Sequence, residues 1–151
     1  MAEFANDALQ TVNPGEDIIY TITKVPCFRG FVQHEDGTGS FLCRGFNMYS
    51  RKTMYFVDFG ANIAIPTGGT VGPISVAITV NGSTVPATIM TVTPAAVEEF
   101  FNVSRSSSVG IWSGCCQTVT IRNVSDQPIL VQNTNVGINK KEDLTWRTKM
   151  L

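Results

Sequence analysis

Hydrophobic positions along this chain recur with a period of two. DIIYTITKV (17–25), GFVQH (30–34), SFLCRGF (40–46), TMYFVDFGANIAI (53–65), GPISVAITV (72–80), TVPATIMTV (84–92), TVTIRNV (118–124) and PILVQNTNVGI (128–138) all read as strands. They are rich in Val, Ile, Thr, Tyr and Phe, and Gly, Pro, Asn and Asp separate them, which is the pattern of half-buried strands. Eight short strands with regular turn signals predict an all-β fold, an antiparallel β-sandwich of the jelly-roll kind.

Two connections are legible in detail. Asn81-Gly82 lies between two alternating runs, and both residues tolerate the positive φ angles of a type I′ hairpin turn. Glu35 to Ser40 is a polar, Gly-rich link that predicts a looser hairpin, and 66–73 reads as a loop. Only TVTPAAVEEFFNVS carries helix signals: Thr93 as N-cap, Pro94 at the first helical position and Glu98 and Glu99 after it. One short helical turn is expected near 94–100. The jelly-roll domain is expected to occupy 1–139. Residues 140–151, KKEDLTWRTKML, carry four of the eleven basic residues and follow the last alternating run, so they are read as a charged C-terminal tail.

Composition narrows the classes. At 151 residues, one domain with a sizeable core is expected. Charged residues are 15% of the chain and the net charge is −1, so disorder is excluded and no electrostatic footprint for nucleic acid or an anionic membrane is present. Sparse surface charge suits a domain that covers part of its surface with copies of itself. MAEFANDALQTVNPGED has neither a basic n-region nor an apolar h-region, so no signal peptide is read. No apolar run approaches the roughly 20 residues of a membrane span. The expectation is a product of the cytoplasm, released by lysis or by a route without a cleaved signal.

Candidate chemistry is thin. Cys115 and Cys116 are adjacent, Cys27 and Cys43 stand apart, and His34 is the single histidine, so no zinc spacing exists. Neighbours on a strand point to opposite faces, and the two thiols are expected to diverge, one into the core and one to an edge or interface. His34-Glu35-Asp36 resembles acid/base machinery, but its place beside a Gly-rich turn favours solvated polar residues. No Gly-x-Ser-x-Gly elbow is present, and Thr67-Gly68-Gly69-Thr70 lacks the lysine of a phosphate loop. Sequons at Asn81, Asn102 and Asn123 are expected by chance in a chain so rich in Asn, Ser and Thr. No cofactor, metal or catalytic residue is expected, and the chain is read as a non-enzyme; a lyase or hydrolase on the same scaffold ranks last.

SVAITVNGSTVPATIM, followed by TPAAVEEFFNVS, a strand after Cys116 and the closing NVSDQPILVQNTNVGINK, resembles bacterial and phage domains of the C1q/TNF-like jelly-roll type over roughly residues 55–139. The resemblance implies a homotrimer, found in that family at spore-surface filament tips and in head fibres or capsid decorations of tailed phages. No collagen-like stalk is present here, which favours a virion accessory protein docked to a larger assembly such as a major capsid protein. A bacterial cell or spore surface is the alternative location. Phe100, Phe101 and Trp112 are expected at the subunit interface. Trp146, Arg147, Lys149, Met150 and Leu151 are expected to dock the tail. The competing expectation is a module that recognises a host-surface carbohydrate or receptor, with Tyr49 or Trp112 stacking on a sugar.

Overall fold

The computed structural model describes residues 1–27, 30–45, 50–112 and 116–145, with side chains described except at 50, 51 and 142–145. Twelve strands follow one another: β1 (Ala2–Asn6), β2 (Gln10–Val12), β3 (Ile22–Val25), β4 (Val32–His34), β5 (Phe41–Cys43), β6 (Ser50–Ala64), β7 (Ile74–Val80), β8 (Ser83–Thr84), β9 (Met90–Val92), β10 (Phe101–Trp112), β11 (Gln117–Asn123) and β12 (Ile129–Thr145). They form two antiparallel sheets. Sheet A runs β10-β6-β12-β1-β3 with β2 beside β12, and sheet B runs β4-β5-β11-β7-β8 with β9 beside β7.

The pairing defines the architecture. Take β1, β5, β6, β7, β9, β10, β11 and β12 as eight principal strands. The first pairs with the eighth, the second with the seventh, the third with the sixth and the fourth with the fifth. That nested ribbon, folded into two sheets, is a jelly roll.

Alternation along β6 sends Thr53, Tyr55, Val57, Phe59, Ala61 and Ile63 into the core, where all are buried. Ile74, Val76 and Ile78 of β7 with Val119 and Ile121 of β11 meet them from sheet B. In β12, Ile129 and Val131 point inward, and so do Thr134, Val136 and Ile138, although the two sets are out of phase by one residue. A bulge between Gln132 and Asn135 restores the phase, with Asn133 at φ 52°. Thr134 thereby reaches the buried hydroxyl of Tyr20 at 2.9 Å, which satisfies both polar groups.

Several expectations change. The predicted hairpin at Asn81-Gly82 is present, with φ of 50° and 81°. The helical turn near 94–100 is not: that segment is a bend and turn, and the short 3-10 turn lies earlier, at Pro86–Thr88. Glu98 takes φ 58°, donates its N–H to Ile65 O at 2.7 Å and accepts from Thr67 Oγ1 at 2.8 Å, so tertiary bonds displace the helical ones. β12 also continues through 140–145, paired to β6 from Tyr55 back to Ser50, so the first half of the charged segment is sheet rather than tail. Three strands had no counterpart in the sequence pattern, β1, β2 and β10.

Candidate functional site

Of the exposed large hydrophobic residues among those described, Phe101 and Trp112 lie on β10, the edge strand of sheet A, and Phe100 directly precedes it, while Met1, Leu9, Ile19, Ile22, Val71 and Ile89 lie elsewhere. Its register against β6 runs unbroken from Phe101 opposite Ile63 to Trp112 opposite Lys52. Among the described residues, no strand pairs with its outer edge, and Arg105 is its only charged residue. Long edges with little charge expose unpaired N–H and C=O groups that invite another chain.

At its start, Phe100 and Phe101 are 39% and 37% exposed. Phe101 is in phase with Val103, Val109 and Ile111, which enter the core. Here β10 lies against β9 of the other sheet, and the sandwich is not fully closed. A groove of about 340 Å³ separates them, lined by 89–92 on one side and by Asn102, Val103, Ser104 and Arg105 on the other. Ile89 is 40% exposed, while Met90 and Val103 at the groove are buried.

At its end the geometry is different. Trp112 is in phase with Ser104, Ser106, Ser108 and Gly110 on the outer face of sheet A, and it is 51% exposed. Lys52 Nζ sits 4.5 Å from the indole centroid. A Cβ at Gly110 would lie 2.9 Å from Lys52 Cδ and 3.3 Å from Met54 Sδ, so the glycine is what lets both side chains lie flat across β10. Phe56 follows two positions beyond Met54, opposite Ser108 and Asn139, with Lys141 Nζ 5.8 Å from its ring. The structure therefore brings Phe100 and Phe101 together and sets Trp112 eleven positions away, ~37 Å at about 3.4 Å per residue, on the opposite face. Sequence reasoning missed Lys52, Phe56, Gly110 and Lys141: the register sets Lys52 opposite Trp112 and Phe56 opposite Ser108 on the same face, and Lys141 lies at the Phe56 ring. Tyr49 and the tail residues Trp146, Arg147, Lys149, Met150 and Leu151 lie outside the described residues.

The other candidate groups are structural. His34 is not a solvated turn residue; its side chain is fully buried in β4, stacked on Phe41 at 4.5 Å and tilted against Phe4 at 4.8 Å. Its ring nitrogens lie 2.9 Å from Ser40 O and 3.1 Å from Tyr20 O, so main-chain carbonyls occupy both sites a proton relay needs. Cys43 is buried, and desolvation, with the Cys27 thiol nearby, pushes its thiol up to about 12, which keeps it protonated and inert at neutral pH. Cys27 and Cys43 are not disulfide-bonded. Cys116 precedes β11 and is disulfide-bonded, so the expectation of a thiol within a strand is corrected for it; Cys115 lies outside the described residues.

The three sequon asparagines all make internal hydrogen bonds. Asn123 is buried and donates to Val12 O and Gln127 O, Asn81 accepts from Thr118 N, and Asn102 donates to Asn62 Oδ1. Among the described residues, no group of three metal-ligating side chains gathers, and no helix is long and apolar enough to cross a membrane.

No family model matches the chain, and no curated protein matches it. Among solved structures, it is similar to the globular domain of zebrafish complement 1qA protein, with 10% identity over 90% of this chain and 94% of that one, at a TM-score of 0.49. A family 35 carbohydrate-binding module from Clostridium thermocellum matches with 14% identity over 90% and 98%, at a TM-score of 0.37. A family 35 module from an environmental isolate matches with 15% identity over 94% and 98%, also at 0.37. Likeness at this level carries no argument about this chain; the jelly roll rests on the strand pairing alone.

Proposed function

We propose that this chain is a non-enzymatic assembly protein, a jelly roll that associates with copies of itself and forms part of a larger structure. The observation that carries this reading is β10: a 12-residue edge with one charge, beginning at two exposed phenylalanines beside an open groove. A second copy covering Phe100, Phe101, Ile89 and the groove would remove their apolar surface from water, at about 25 cal/mol per Å². The same contact would satisfy the unpaired edge. A trimer is the stoichiometry that the C1q/TNF-like resemblance implies. A capsid decoration or head fibre of a tailed phage is the assembly it implies, with a bacterial cell or spore surface as the alternative location.

Sedimentation velocity of the full chain at micromolar concentration tests this. A species near three times the 16.4 kDa chain mass is the expected result. A monomer that persists across the concentration range would sink the assembly reading.

A second reading rests on a different observation. Trp112 stands half exposed on a finished, polar sheet face, where it closes no gap in the core. That favours a surface module that recognises a carbohydrate, acting alongside assembly rather than in place of it.

A further inference from the structure

We infer that the outer face of sheet A around Trp112 binds an acidic polysaccharide, one with a single carboxylate per sugar, as in a polyuronate. The inference rests on the second reading above and gives it a site and a ligand class.

Three rows of the β10-β6-β12 register build the platform. Trp112 stands beside Lys52 in the first, Gly110 beside Met54 in the second, and Ser108, Phe56 and Asn139 in the third. Lys52 and Phe56 are four positions apart, so the platform runs ~14 Å along the strands. Its middle is flat, because Gly110 has no side chain and Met54 lies across it. An exposed indole offers a sugar ring an apolar face with C–H groups against the π-system. Ser108 and Asn139 flank Phe56 with hydroxyl and amide groups suited to sugar hydroxyls.

Charge selects among sugars. The ammonium groups of Lys52 and Lys141 mark the two ends of the platform, each held at an aromatic ring. Two carboxylates on this face are engaged: Asp58, two positions beyond Phe56, accepts from Ser106 Oγ, and Glu3 pairs with Lys24 at 3.6 Å. Glu142 stands opposite Met54 in the register. Two separated single cations match one charge per sugar residue better than the dense charge of a polysulfated chain. A nucleic acid calls for many phosphate contacts, and a chain of net charge −1 with two lysines here does not supply them.

Affinity electrophoresis of the intact full chain, in gels containing polygalacturonate, dextran, dextran sulfate or no polymer, tests the inference, with a single-stranded oligonucleotide as competitor. Polygalacturonate is expected to retard the protein at low ionic strength, and dextran is not. Trp112→Ala should weaken retardation at least tenfold. Lys52→Gln and Lys141→Gln should each weaken it severalfold and flatten its salt dependence. Gly110→Ala, which leaves the indole in place but pushes Lys52 aside, should behave like Lys52→Gln. The Phe100→Ser/Phe101→Ser pair should leave retardation unchanged per chain.

Retardation by dextran that depends on Trp112 would overturn the acidic ligand while leaving a carbohydrate module standing. No retardation by any polymer would overturn both. Tighter binding to dextran sulfate, displacement by the oligonucleotide, or polygalacturonate binding that survives Trp112→Ala would each overturn the assignment of this site.

Discussion

The two ends of β10 carry the same surface signature, an exposed aromatic on an edge strand, for opposite physical reasons. At the Phe101 end, the side chain belongs to the inward phase, and it is exposed because the sandwich does not close between β9 and β10. Around Trp112, the core beneath is complete. Val109 and Ile111 are buried, and the indole stands on the far face with Lys52 over it. The first end is an unfinished interior and the second a finished exterior bearing an added group. On the readings proposed above, the first end is where a copy of the same fold would dock and the second is where a ligand would sit.

The comparison breaks most sharply at Phe100 and Phe101. Replacing both with Ser should abolish self-association while leaving the jelly roll folded. At about 2 kcal/mol for each buried interface aromatic, roughly thirty-fold per residue, the pair should shift the association constant about a thousand-fold. Sedimentation reads the shift, and circular dichroism checks that the β signature survives. An unchanged sedimentation profile would mean that this end is not where copies meet.

Val103 sharpens the contrast from inside the groove. It is buried although it lines the opening, so Val103→Ala should cost roughly 2 kcal/mol by transfer and cavity terms together. In a domain of this size that lowers the melting temperature by roughly 4–8 °C. The loss should be larger at dilute concentration, where a partner no longer covers the groove. A melting temperature equally lowered at every concentration would separate the groove from the interface.

Much of this fold was legible and the informative strand was not. β6, β7 and β11 alternate because both sheet faces there are well defined, core on one side and polar or packed groups on the other. The Asn81-Gly82 turn was legible for a local reason, since both residues must take positive φ. β10 escaped because an edge strand needs few inward apolar residues: between Val103 and Val109 stands Ser-Arg-Ser-Ser-Ser, which reads as loop. β1 escaped because Ala2 and Phe4 are too few to show a period, yet it fills the middle of sheet A. The helical turn near 94–100 was suggested by local capping signals that a single long-range bond, Glu98 N to Ile65 O, outweighs. Once β10 is known to be a strand, an odd separation of eleven already places Phe101 and Trp112 on opposite faces.

Trp112→Ala is the smallest predicted effect on stability and the sharpest test of the finished end. Truncating a tryptophan in a core costs about 3–5 kcal/mol. Here the indole is half exposed and its named contact is the ammonium of Lys52, worth about 0.5–1 kcal/mol at an exposed site. The substitution should therefore cost under about 1 kcal/mol, a shift of roughly 2–4 °C or less in melting temperature. That is less than Val103→Ala, although far more atoms are removed. Should Trp112→Ala destabilise the fold as much as Val103→Ala, the indole would be packing material, and the distinction between the two ends would collapse. Equal stability with polygalacturonate retardation lost would place the indole's role in the ligand and not in the fold.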